Sequence, residues 1–395
     1  MSVTAAPGFV AAGGAVGIKA GGAPDLAVVA TDDGRPVAAA GVFTANLAPA
    51  APVEVSRAHL LATGGHAAAV VLSSGNANAA TGEPGRRAAL ALCRAVAAGV
   101  GAQVTEVLVC QTGLIGIPFP IEVVTPAVGP VVARRAGGEA AGAAAAEAIM
   151  TTDTVAKTAA ARGPVAGGGP GFTVGGMAKG AAMLAPNMAT MLAVLTTDAG
   201  IDPAGLRAVL AEAVGPTFNS MTVDGCTSTN DTVLVLANGR AGPVDPADLS
   251  GALRQVCASL AEQMAADAEG ATKVAHVTVA GARTDAEAHQ AARKVADSLL
   301  VKCSLNGADP YWGRVVSELG TAGVAMDPGR VSVAYGGVVV CRSGVASPHD
   351  EAAVAAHMAG RSVEIACDLG VGDGAAVVLT TDLGHGYIDE NRTTS

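Results

Sequence analysis

"MAKGAAMLAPNMATMLAVLTTDAG", Met177 to Gly200, passes from a glycine- and proline-punctuated segment straight into an unbroken apolar run. Its first half, "AKGAAMLAPN", has the punctuation of a loop. Its second, "MATMLAVL", holds mainly small and apolar residues. It reads as a buried helix or a buried strand, alternatives that periodicity does not separate. Thr190 therefore stands where a loop enters the core, and Lys179 is the one cation before it in this stretch. A buried threonine ordinarily bonds a backbone carbonyl, so Thr190 alone decides nothing.

Outward from this stretch the chain alternates between two patterns. Val-rich runs bounded by Gly, Asn and Asp predict strands over 26–32, 67–76, 105–113, 231–239, 274–281, 330–341 and 375–383. Helical patterns lie over 83–100, 133–150, 202–215, 245–270 and 284–300, two of them opened by Asp-Pro. The pattern predicts a mixed α/β or α+β body with helices packed on sheets. "AAARGPVAGGGPG" (159–171) reads as a linker, and a boundary is expected near residue 190.

The 395 residues are half hydrophobic but only 2% aromatic, so the core is built from Ala, Val, Leu and Ile. The 52 glycines let such elements approach closely. A formal charge of −10 argues against nucleic acid as a partner and leaves any anionic substrate to a few placed cations. No apolar run reaches the roughly 18 residues that span a bilayer, and the start lacks a signal-peptide pattern, so a cytoplasmic protein is expected. The seven scattered cysteines include no CxxC pair and read as reduced and mostly buried. Without HExxH or a Walker sequence, no metal and no cofactor is expected.

Polar clusters stand where strands end. "QTGLIG" (111–116) is a turn whose successive amides can converge on one oxygen, or an ordinary strand exit. "TVDGCTSTNDT" (222–232) is so dense a polar entry to a buried strand that it needs internal partners, structural or substrate-derived. "DAEGATK" (267–273) places Glu269 at the end of the 245–270 helix, where the helix dipole disfavours it.

Together these stretches resemble the ornithine acetyltransferase (ArgJ-type) family. The 175–199 segment is similar to its cleavage-site motif. "GVFTAN" (41–46), "SSGNANAATG" (73–82), "QTGLIG", "EAIMTTDT" (147–154), "FNSMTVDGCTSTNDTV" (218–233), "ADAEGATK" (266–273), "LVKCSLNGADPYWGR" (300–314) and "YIDEN" (387–391) follow in the family's order. The resemblance covers nearly the whole chain.

It implies a layered α-β-β-α body with a second, smaller α/β domain. It also implies a chain that cuts itself between Ala189 and Thr190, giving an α chain of 1–189 and a β chain of 190–395. The new α-amine, with a pKa of about 8, can act as base for the Thr190 hydroxyl without a histidine. By the same resemblance the amides of Thr112 and Gly113 form the oxyanion hole, and Thr151 or Thr152, Lys179, Glu269 and Asn391 touch substrate. The implied reaction is ping-pong: N-acetylornithine acetylates Thr190, ornithine leaves, and glutamate takes the acetyl group. Acetyl-CoA stands open as a second donor, and two α and two β chains would form a heterotetramer.

Two departures stand out. Ala182 and Ala185 occupy positions where the family has Gly, Ser or His. The tail "RTTS" is one residue shorter than the family's ending, which weakens the substrate contact otherwise assigned to Ser395 and makes Thr394 its alternative. Two rival readings share the fold. One is an amino-terminal-nucleophile hydrolase or aminopeptidase, the other an uncleaved, non-catalytic amino-acid-binding homologue.

Overall fold

The computed structural model describes residues 2–164, 171–183 and 191–392. Among these the strands form three sheets, of four, six and seven strands, and the chain divides into two compact units. The first unit takes most of the chain up to Phe218 and resumes over Cys226–Met264. The second takes Asn219–Gly225 and Ala265–Ser395. This is the mixed α/β class expected, with a second, smaller unit.

In the first unit the four-stranded sheet runs Phe9–Gly14, Leu26–Thr31, Ala69–Asn76, Val107–Leu114, the last pair parallel. Side chains alternate between its faces. Leu26, Val28, Val71, Val107 and Val109 pack with Leu92 and Val96 of the helix Gly82–Val100 and Val128 of the helix Ile121–Ala133. Ala27, Val29, Val70, Leu72 and Leu108 point the other way, onto Met177, Leu192, Val194 and Leu234 of the six-stranded sheet. Both faces are buried, which is why these strands are continuous apolar runs in the sequence.

The six-stranded sheet has the order His66–Ala67, Val37–Phe43, Thr232–Pro243, Leu192–Gly200, Phe172–Lys179, Lys157–Gly163. Its far face lies against the helix Pro246–Ala266: a Cβ on Gly176 would stand 2.8 Å from Val256. The unit is thus layered helix, sheet, sheet, helix. The apolar run after residue 190 is a strand, resolving the two alternatives.

Several expectations are corrected. The first five residues of the supposed linker 159–171 belong to a strand, because Lys157–Gly163 pairs with Phe172–Lys179, while 165–170 lie outside the described residues. Lys179 is accordingly the last residue of a strand and not part of a loop. The helix expected over 133–150 is only Glu139–Ala148, broken from Ile121–Ala133 by a turn in which Gly138 takes φ +89°. The 284–300 helix is two, Asp285–Ala296 and Leu299–Asn306, because Ser298 caps the second. Residue 190 does not divide the compact units, since the strands ending at Lys179 and starting at Leu192 pair with each other.

The second unit holds the seven-stranded sheet and its own core, with Val277, Val333, Ile365 and Val378 against Val295 and Leu319. Here Ser362–Asp368 alternates strictly between exposed and buried, so only one face of that strand is covered. The expected single strand over 330–341 is a hairpin, Ser332–Tyr335 and Val338–Arg342. Gly336 and Gly337, both at positive φ, make its two-residue turn. The cysteines are all free, five buried and two, Cys226 and Cys303, exposed. Among the described residues no helix is long and apolar enough to cross a membrane.

Candidate active site

The parallel strands Ala69–Asn76 and Val107–Leu114 end together, with Ser74 beside Thr112 and Gly75 beside Gly113. Gly113 has φ +130°, and a Cβ there would lie 2.3 Å from the carbonyl carbon of Gly75. Only glycine fits, for both conformation and space. The turn is braced from behind. Asn230 Nδ2 donates to the carbonyl of Gln111 at 2.8 Å and to that of Ala77 at 2.7 Å. The Gln111 side chain receives Asn78 Nδ2 at 2.8 Å. Thr44 Oγ1 donates to the Ser228 carbonyl at 2.7 Å. Within the first unit, then, the polar run before Thr232 finds structural partners, and it anchors the residue that precedes Thr112.

Lys179 comes to the same place from the other sheet. It is 3% exposed, and Nζ lies 3.4 Å from Thr112 Oγ1. An ammonium so deeply buried needs compensation. Asp153 supplies part of it: Oδ2 is 3.9 Å from Lys179 Nζ, and Oδ1 receives Lys157 Nζ at 2.7 Å. Asp153 also accepts the amides of Thr151 at 3.0 Å and Gly180 at 2.8 Å. Burial pushes its carboxyl up, but Lys179, Lys157 and the Thr151 amide outweigh burial and hold it at about 2. Asp153 thereby holds Thr151, which is half-buried, while Thr152 beside it is exposed.

A second cation stands nearby. Lys19 Nζ donates to the carbonyls of Met150 at 2.7 Å and Pro24 at 2.9 Å. Burial lowers its pKa; Asp25 opposes this and Lys179 adds to it. The pair brings two ammonium groups near the strand ends of a chain of net negative charge, where they can meet a carboxylate or an oxyanion. Met191 follows the candidate nucleophile. Its amide donates to Asp231 Oδ1 at 2.9 Å, and its carbonyl accepts the Thr232 amide at 3.1 Å. Lys19, Asp153 and Asp231 escaped the sequence reading. Only the position of Asp153, directly after the two candidate threonines, was a usable signal.

In the second unit Asn391 Nδ2 donates to Glu269 Oε2 at 2.7 Å, joining two predicted substrate residues far apart in sequence. Glu269 is buried and lies three residues beyond the helix Pro246–Ala266, so it does not sit on that helix's end as expected. Helix His385–Glu390 packs on this segment, and a Cβ on Gly270 would meet the Tyr387 amide nitrogen at 2.1 Å. Ala189, Thr190 and Ser395, like Ala185 and Thr394, lie outside the described residues. Among the described residues no cluster of three His, Cys, Asp or Glu could hold a metal ion.

Comparison with known proteins adds the relatives. The sequence profile of the ArgJ family matches residues 10–393. The "Arginine biosynthesis bifunctional protein ArgJ" of Mycolicibacterium paratuberculosis is 48% identical over 98% of this chain and 95% of its own. The protein of the same name from Thermobifida fusca is 45% identical over 99% of each chain. A solved ornithine acetyltransferase from Mycobacterium tuberculosis, complexed with ornithine, is 46% identical over 47% of this chain and 94% of that one, with a TM-score of 0.43.

Proposed function

Because this chain belongs to the ArgJ family, we propose that it is a self-cleaving acetyltransferase of arginine biosynthesis, moving acetyl from N-acetylornithine to glutamate. The observation that carries this reading is the convergence of Thr112, Gly113 and buried Lys179 at paired strand ends, on a chain matched by the family over 10–393. In the first step the Thr190 hydroxyl attacks the Ala189 carbonyl. The C–N bond breaks, and water hydrolyses the resulting ester to leave a free Thr190 amine.

In turnover that amine takes the hydroxyl proton as oxygen attacks the acetyl carbonyl of N-acetylornithine. The Thr112 and Gly113 amides receive the negative oxygen. The C–N bond breaks, the departing nitrogen takes the proton, and ornithine leaves acetyl on Thr190. The glutamate amine then attacks the ester, N-acetylglutamate leaves, and the hydroxyl is restored. Lys179 binds a substrate carboxylate as a compact point charge. We assign Glu269 to the amine of ornithine and give Thr151 or Thr152, Asn391 and the 394–395 terminus further substrate contacts.

The relatives' name, bifunctional, fits a second activity, and acetyl-CoA is the donor we assign to it. A cytoplasmic assembly of two 1–189 and two 190–395 chains completes the reading. Intact-mass measurement of the purified protein should find a fragment beginning at Thr190, and Thr190→Ala should stay whole. Labelled acetyl should pass from N-acetylornithine to glutamate through the 190–395 fragment. A fully active, uncut wild type would overturn the proposal.

A further inference from the structure

Asp231 is fully buried immediately before the strand Thr232–Pro243, which runs parallel to Leu192–Gly200 with Thr232 beside Leu192. Its backbone is fixed, because its carbonyl accepts the Thr44 amide at 2.9 Å. Its side chain reaches across to the neighbouring strand, where Oδ1 accepts the Met191 amide at 2.9 Å. The Thr232 amide holds the Met191 carbonyl at 3.1 Å, so both backbone polar groups of Met191 are gripped from this one corner. The other carboxyl oxygen, Oδ2, is buried and makes no well-formed hydrogen bond among the described residues.

We propose that Asp231 is a positioning residue for the candidate nucleophile: its carboxyl holds the Met191 amide and so sets the direction in which the chain presents residue 190. The inference rests on the reading of Thr190 given above. A strand-start amide normally finds a partner strand; here a side chain does that work, one residue after the reacting group. Such a contact removes rotational freedom where near-attack geometry is most sensitive.

The protonation state follows from the same geometry. An ionised carboxylate with a buried oxygen that lacks a well-formed hydrogen bond would be costly. Burial pushes the Asp231 carboxyl well above its ordinary range, against the pull of the Met191 amide, Lys179 and Ser228. A neutral acid suits the position. An ionised carboxylate bonded to the amide of the next residue would favour the charged form of the Thr190 amine and weaken it as a base. A neutral group aligns the backbone without that penalty.

Asp231→Asn keeps an oxygen acceptor, the shape and the neutral charge, whereas Asp231→Ala removes the grip. Both are made in the full-length chain, with active sites counted by the acetyl-enzyme burst and melting temperature followed separately. Asn should process normally and keep kcat within about fivefold, while Ala should lose about tenfold or more in kcat per active site, the scale of one lost, well-placed hydrogen bond. The KM for N-acetylornithine should change less than about twofold in either. A merely structural role would lower the melting temperature or the count of active sites but leave kcat per site unchanged in Ala, and that result overturns the proposal. So does an Asn variant that loses more than about fivefold, which decides the matter even if Ala does not fold. A wild type lacking the fragment that begins at Thr190 would overturn the reading of Thr190 as well. A processed, active wild type beside an unaffected Ala variant would overturn the role of Asp231 alone.

Discussion

The Lys179 ammonium stands 3.9 Å from Oδ2 of Asp153, and both side chains are buried. The 2.7 Å contact of Oδ1 with Lys157 makes Asp153 a shared counter-charge for two interior lysines. Removing it takes a counter-charge from both. Asp153→Asn should destabilise the protein by about 3–5 kcal/mol, the usual cost of removing one member of a buried ion pair. Denaturant titration of the two proteins checks this.

The same carboxyl gives a pH signature. It titrates at about 2 when folded against an ordinary 3.8, so the folded state binds its proton less readily than the unfolded state. Its contribution is complete above about pH 4 and disappears as the pH falls toward 2, an amount of about 2 kcal/mol. Unfolding free energies of wild type and Asp153→Asn should therefore converge partly over that window. Parallel curves would contradict the assignment.

Lys179→Met keeps the stem and removes the charge. It should raise the Michaelis constants for both N-acetylornithine and glutamate, because both present a carboxylate. On the reading of Thr190 proposed above, it should also move the ascending, acid-side limb of the rate profile upward in pH, since removing a like charge raises the pKa of the amine that acts as base. Steady-state kinetics across pH, with folding verified by circular dichroism, tests both effects.

Gly113 cannot be changed for catalysis alone. A Cβ 2.3 Å from the Gly75 carbonyl carbon, at φ +130°, forces the two strand ends apart. Gly113→Ala should slow acetyl transfer by about a hundredfold or more, the scale of one lost oxyanion donor. It should also lower the melting temperature, so rate and stability must be measured on the same sample. An unchanged rate would place the oxyanion donors elsewhere.

Lys302, in the second unit, supplies a second pH test, at the alkaline end. Nζ donates to Thr380 Oγ1 at 2.5 Å and to the Thr381 carbonyl at 3.0 Å, and burial lowers its pKa from 10.5 to about 8. Asp297, Asp224 and Asp382 only partly offset the burial. Between those values the unfolded chain binds the proton more readily, so stability rises with pH from about 8 to 10.5, by about 3 kcal/mol. Lys302→Met should remove that rise, read as the difference between the two proteins' denaturant midpoints at pH 8 and 10.5.

What the sequence by itself determined were the elements whose burial is symmetric and local. The strands around Val28, Val71 and Val109 were legible because both faces are covered, which writes an uninterrupted apolar run into the chain. The helix capped by Asp202 announced itself through its own N-terminus, where Oδ1 accepts the Gly205 amide at 2.6 Å. The order of motifs sufficed for the family. Tertiary structure decided which polar residues meet. That Lys179 ends a strand beside Thr112, that Asp153 faces Lys179, and that Asp231 grips Met191 are pairings between segments far apart in the chain. No local pattern encodes them, because the field and the desolvation that make those groups matter come from neighbours tens of residues away.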